Sequence, residues 1–205
     1  MIYVATTGRG LDAAEAALSD GLIVAFPTET VYGLGVRHGD EAARLRLGTI
    51  KGRPSKKPFQ VLLSDVERLE ALCDPIPGAA RRLAAAFWPG PLTLVVTDRE
   101  GEWTGFRVPD HSVPRALARR MGGELVATSA NRSGRPPALD AESVVREFGE
   151  AIAVVMDGGP VSLVRGSSVV RVSRTHWTLL REGAIAHKEI AAVIGPGTKE
   201  EEPAT

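Results

Sequence analysis

Leu22 to Phe26 is an unbroken apolar run of strand length, shut in by Gly21 on one side and Pro27 on the other. A run that short, with no polar residue inside it, reads as a buried strand. Before it, Leu11, Ala14 and Leu18 share one face, so residues 11–20 form an amphipathic helix that Gly21 stops. The same alternation continues down the chain. A helix is expected from Asp40, where Ala43, Leu47 and Ile50 recur at spacings of four and three, and a strand at 59–63. Helices follow at 65–72 and 78–87, the second ended by Trp88-Pro89-Gly90-Pro91, which no helix can cross. Strands are expected at 92–97 and 105–108, a helix at 113–121 and a strand at 125–128. Asp140 caps a helix to Phe148, a strand covers 152–156, and a hairpin pairs 169–172 with 177–180 before a last helix at 187–194.

Helices and strands interspersed to the end specify the α/β class with a mixed sheet. The 205 residues show no compositional break, so one domain is expected over 1–194, with 195–205 as a flexible polar tail. Lys plus Arg and Asp plus Glu both number 25, giving zero net charge, which argues against a general nucleic-acid coat protein. The single cysteine, Cys73, excludes an internal disulfide and any CxxC motif, and fits a reducing, cytoplasmic setting. No apolar run approaches the roughly 20 residues of a membrane helix.

Several chemistries lack their signatures. There is no G-x-x-x-x-G-K-[ST] phosphate loop and no G-x-S-x-G elbow, and Gly33-Leu34-Gly35 has the wrong spacing for a dinucleotide fingerprint. His38, His111, His176 and His187 lie too far apart in sequence for a zinc motif and read as ordinary surface or core residues. Cys73, beside Leu69 and Leu72, reads as a buried, inert thiol.

Three polar clusters interrupt the apolar pattern, at the strand and helix ends where α/β proteins place their sites. Pro27-Thr28-Glu29-Thr30-Val31-Tyr32-Gly33-Leu34-Gly35 offers hydroxyls and glycine backbone to a small ligand, although Pro and Gly equally make a plain turn. Residues 44–57 hold six cations and no acid, and Lys51-Gly52-Arg53-Pro54 fixes some of them on a turn suited to polyphosphate; a solvated helix end is the bland alternative. Thr128-Ser129-Ala130-Asn131-Arg132-Ser133-Gly134 offers donors to phosphate or oxygens to magnesium, but a helix-capping loop has the same look. Arg107 and Arg181 each sit against apolar strand residues, where a guanidinium needs a bound anion or an internal carboxylate.

Taken together, PTETVYGLG at 27–35, KGRPSKKPF at 51–59, WPGPLTLV at 88–95, FRVPDH at 106–111, TSANRSG at 128–134 and GSSVVRV at 166–172 resemble the short form of the YrdC-like family of threonylcarbamoyl-adenylate synthases. The resemblance covers residues about 11–185 and implies a twisted mixed β-sheet with flanking helices around an open cleft. It implies a nucleotidyltransferase that makes L-threonylcarbamoyladenylate and pyrophosphate from L-threonine, bicarbonate and ATP. Magnesium would accompany the ATP, with no metal held by a direct side-chain cluster. A separate transferase would then modify tRNA, and weak tRNA contact is compatible with this role.

By position, the resemblance assigns Thr30, Arg107 and Ser167 to threonine, and Lys51 and Arg53 to phosphate and catalysis. It assigns Thr128, Ser129, Ala130, Asn131 and Arg181 to the nucleotide. Gly166 and Arg171 stand where many relatives carry acids, and Ala138 where a hydroxyl residue is common. Two other readings compete: a carbamoyl-adenylate-forming relative, and a non-enzymatic RNA-binding or ribosome-associated module using the 44–57 cations.

Overall fold

The computed structural model describes residues 2–4, 7–52, 58–161 and 165–199. Three of its helices begin where a short polar side chain accepts from an orphan backbone N–H group. Thr7 Oγ1 accepts from Gly10 N at 3.2 Å and starts α1 (Gly8–Ser19). Asp40 Oδ1 accepts from Ala43 N at 2.8 Å and starts α2 (Glu41–Lys51). Gly52, at φ 58°, then ends α2 in the left-handed region that favours glycine. Asp140 repeats the capping device on Ser143 N at 2.6 Å for α6 (Ala141–Phe148), as the sequence predicts.

Eleven strands of the described residues form one mixed sheet. One half runs, in spatial order, β1 (Ile2–Val4), β8 (Val154–Asp157), β2 (Val24–Phe26), β3 (Gly33–Arg37) and β7 (Glu124–Ser129). The other half continues β4 (Gln60–Leu63), β6 (Trp103–Arg107), β5 (Leu92–Thr97), β9 (Ser168–Val172), β10 (Trp177–Arg181) and β11 (Thr198–Lys199). The remaining helices are α3 (Glu67–Leu72), α4 (Gly78–Phe87), α5 (Ser112–Arg120) and α7 (His187–Ile194). The single-domain α/β fold with a mixed sheet is thus the one expected, and no helix among the described residues is long and apolar enough to cross a membrane.

The two halves bury differently. In the first half both faces are covered. Val24, Phe26, Leu125 and Met156 pack with Leu18 and Leu117 on one side. Ala25, Val126 and Val155 pack with Leu47 and Val144 on the other. This is why 23–26 is apolar without alternation, whereas Leu22, expected in the same strand, lies before β2 and is exposed. In the second half, beyond β4, only one face enters the core, where Leu94, Phe106, Val170 and Leu179 pack with Leu83 and Ile190. Cys73 lies in the same cluster, and burial pushes its thiol up to about 12, so it is protonated and inert at neutral pH.

Three strands differ from the sequence reading. β1 is short and terminal, and β3 lies where a polar loop was expected. Gly33 and Gly35 lower strand propensity, yet both pack against Phe26 of the paired strand β2. A Cβ on Gly35 would stand 2.7 Å from Phe26 Cε1 and 3.1 Å from Leu125 Cδ2, and one on Gly33 would stand 2.8 Å from Phe26 Cε2. The spacing of these glycines therefore answers to a buried ring. The third is β11, within the segment expected to be a free tail: Thr198 and Lys199 pair in parallel with Thr178 and Leu179. Residues 200–205 lie outside the described residues.

Gly35→Ala should lower folding stability by about 1–3 kcal/mol through overpacking. Urea unfolding should show a reduced midpoint at an unchanged slope, and an unchanged midpoint would reject the Phe26 contact as the reason for this glycine.

Candidate active site

The uncovered face of the second half-sheet is the floor of a cleft of about 1290 Å³. Small-molecule pockets usually span ~300–1,000 Å³, so this one has room for two substrates side by side. Strand alternation selects what faces it. Along β6 the cleft receives Trp103, Gly105 and Arg107, while Phe106 points into the core. Along β5 and β9 it receives Thr93, Val95, Val169 and Arg171, while Leu94 and Val170 point away. On β10 the register shifts between Leu179 and Arg181, so that Leu179 pairs with Val170 and Arg181 with Val169. This bulge brings Arg181 to the cleft, where strict alternation would have put it with Leu179.

Arg107 is 3% exposed and tightly held. Its Nε donates to the carbonyl of Gly90 at 3.1 Å, within the Trp88–Pro91 turn, and its Nη2 donates to Thr30 Oγ1 at 3.1 Å. Nη2 also lies 2.8 Å from Glu29 Oε1. The internal carboxylate considered for this arginine is thus Glu29, while Nη1 has no partner among the described residues. Thr30 is fixed in turn by Thr28, whose hydroxyl is 2.9 Å from that of Thr30 and donates to the carbonyl of Val31 at 2.6 Å.

Ser167 sits opposite, with its hydroxyl 2.9 Å from that of Thr93, which donates to Gln60 Oε1 at 3.0 Å. Arg181 Nη2 donates to the Ser167 carbonyl at 2.7 Å and to its hydroxyl at 3.2 Å. Arg181 opens to the cleft, yet protein atoms crowd its guanidinium. Burial first, and the Arg107 cation second, hold its pKa below the usual arginine range. An anion between the two guanidinium groups would relieve both effects.

Lys51 differs from its expected placement on an accessible turn. It is the last residue of α2, 3% exposed, with its ammonium aimed at the 129–131 loop. Nζ donates to the carbonyls of Ser129 and Asn131 at 2.5 and 2.6 Å, and lies 3.4 Å from Asn131 Oδ1. Ser129 Oγ donates to that same Oδ1 at 2.5 Å, and Asn131 Nδ2 donates to the carbonyls of Arg132 and Arg135. Lys51 therefore fixes the shape of the loop and adds positive charge beneath it. The loop oxygens engaged with this cation are poor ligands for a protein-held magnesium ion.

Thr128, Ser129 and Asn131 line the cleft, whereas Ala130 is buried in the core. Arg53 and its neighbours to Lys57 lie outside the described residues. Of the other cations in 44–57, Arg44 pairs with Glu41 at 2.5 Å and Arg46 donates to the carbonyl of Gly21 at 2.6 Å.

Sequence reasoning missed Gln60, Thr93 and Trp103 as parts of this site and, although it singled out the cluster at 27–35, gave Glu29 no role. Trp103 is 44% exposed on the cleft floor, with the Arg171 guanidinium 5.9 Å from its ring centroid. Period-2 alternation within 92–97 and 103–107 was the available signal for Thr93 and Trp103.

The Sua5/YciO/YrdC family, described as telomere recombination, matches residues 16–183. The chain belongs to this family. It is 39% identical over 193 residues to a threonylcarbamoyl-AMP synthase of Bacillus subtilis, covering 89% of this chain and 56% of that protein. It is 36% identical over 196 residues to a putative threonylcarbamoyl-AMP synthase of Mycobacterium tuberculosis, covering 91% and 90% respectively. The crystal structure of P. abyssi Sua5 complexed with L-threonine superposes with a TM-score of 0.88 at 36% identity, covering 93% of this chain and 58% of that one. The chain thus spans just over half the length of two of these relatives and nearly all of the third.

Lys51→Met should remove charge-assisted hydrogen bonds from buried carbonyls and cost about 1.5–3 kcal/mol of stability. Chemical denaturation should show the loss, and a wild-type midpoint would mean that Lys51 does not hold the loop.

Proposed function

We propose that this chain is an L-threonylcarbamoyladenylate synthase, a nucleotidyltransferase using L-threonine, bicarbonate and ATP. The observation that carries the reading is the pair of guanidinium groups, Arg107 and Arg181, facing one cleft beside hydroxyls and a lysine-braced loop. The relative solved with L-threonine and the relatives named as synthases support the same substrates.

The reaction needs two bond-forming steps. The threonine amine attacks bicarbonate carbon, releasing water and giving an N-carboxylate. An oxygen of that carboxylate then attacks the α-phosphorus of ATP, and the bond to pyrophosphate breaks. Both partners of the second step are anions, so the protein's contribution is to hold them together and offset their charge. In this reading Arg107 receives the amino-acid carboxylate through Nη1, with Thr30 and Ser167 around it. Arg181, the 128–131 loop and Arg53 hold the nucleotide, and Lys51 adds charge from behind the loop. Magnesium enters as the counter-ion of ATP. The single cysteine, buried and protonated, is not called upon as a nucleophile. We further propose that a separate transferase carries the product to tRNA in the cytoplasm. Of the 44–57 cations that the RNA-module reading would use, Arg46 and Lys51 are engaged within the chain, whereas Arg53, Lys56 and Lys57 lie outside the described residues.

With labelled bicarbonate, pyrophosphate release should require both threonine and bicarbonate and should track formation of the labelled adenylate. Equal release without either co-substrate would sink the mechanism.

Arg107→Lys replaces a planar fork with a point charge. It should raise the threonine needed for half-maximal rate by about 10- to 150-fold, with a much smaller change for ATP. A wild-type threonine requirement would reject Arg107 as the carboxylate receptor.

A further inference from the structure

Arg107 has five N–H donors in a rigid fork. Two hydrogen bonds hold it, from Nε to the Gly90 carbonyl and from Nη2 to Thr30 Oγ1, and Nη2 also forms an ion pair with Glu29 Oε1 at 2.8 Å. Nη1 is left for the cleft that Arg107 lines, whereas Glu29 is not part of the cleft wall. Glu29 therefore contacts the guanidinium from outside the cleft lining. The backbone N–H of Asp110 donates to the same Glu29 Oε1 at 3.0 Å, tying the carboxylate to the segment that follows β6.

The other carboxylate oxygen, Oε2, is buried without a hydrogen-bond partner among the described residues. A carboxylate retained only for stability would be expected to have both oxygens satisfied. Glu29 keeps one of them bare while holding Arg107, and its negative charge also offsets the mutual repulsion of Arg107 and Arg181.

We infer that Glu29 is a positioning residue that sets the angle at which Arg107 presents Nη1 to the amino-acid carboxylate. The inference rests on the reading of Arg107 as the threonine receptor. It adds a recognition role for a side chain that lies outside the cleft wall.

Glu29→Gln keeps the shape and the acceptor for Asp110 N while removing the charge. Half-saturation by threonine and by ATP, the rate at saturating threonine, and the melting temperature should be measured for wild type, Glu29→Gln, Glu29→Asp and Arg107→Ala. Glu29→Gln should raise the threonine requirement by about 5- to 30-fold, the scale on which a charged partner outweighs a neutral one. The ATP requirement and the saturated rate should each stay within about twofold, with melting nearly unchanged. Glu29→Asp keeps the charge but shortens the reach. It should shift threonine in the same direction, and it serves as the test if the glutamine variant does not fold. A threonine requirement unchanged in the Glu29 variants but raised by Arg107→Ala overturns the inference and leaves the function standing. An unchanged requirement in all variants overturns both. Parallel worsening for threonine and ATP with a lowered melting temperature identifies Glu29 as a structural brace and also overturns the inference.

Discussion

The alternation of side chains along strands with only one covered face governs this molecule. In β5, β6 and β9, residues that point down complete a core with α4 and α7, and residues that point up line the cleft. Whatever stands at those upward positions becomes the floor of the cleft. A slip of one residue in register would exchange Arg107 with Phe106 and Arg171 with Val170, burying cations and exposing apolar groups. The energy that holds the core in place is therefore also what aims the polar residues. Each element of the site is as fixed as the sheet beneath it.

On that floor, electrostatics are arranged in layers. Glu29, outside the cleft wall, contacts Arg107, which lines it. Behind the Ser129–Asn131 loop, Lys51 draws its carbonyls inward. Arg181 rests on the Ser167 carbonyl and hydroxyl, exposed to solvent on one side and crowded by protein on the other. Opposite charges placed behind the binding groups steady them without competing for ligand. This suits the proposed reaction between two anions, where positioning and charge replace covalent catalysis.

Much of the framework was legible residue by residue. Asp40 and Asp140 announced helix starts and act as caps, and Trp88-Pro89-Gly90-Pro91 announced a helix end. The polar clusters at 27–35 and 128–134 were visible because they break apolar runs. What escaped was of two kinds. β3 was hidden because Gly33 and Gly35 weaken strand propensity, and the reason for them, the Phe26 ring, lies on another strand. The roles of Lys51 and Glu29 were hidden because their partners, the Ser129–Asn131 loop and Arg107, come from distant parts of the chain. A lysine on a glycine- and proline-rich turn reads as an exposed cation until the fold closes over it.

The sequence by itself determined the class of fold, the extent of most helices and strands, the family, and which residue types were available for chemistry. Those properties follow from periodicity, caps and motif order, which are local. Tertiary structure alone decided which cations face the cleft and which are engaged within the protein. It placed Arg181 in the cleft through a bulge in β10, gave Arg107 its carboxylate, and kept Ala130 in the core beside three neighbours that line the site. Each of these depends on strand register and long-range pairing, and a charge acquires its role only from the groups the completed fold sets around it.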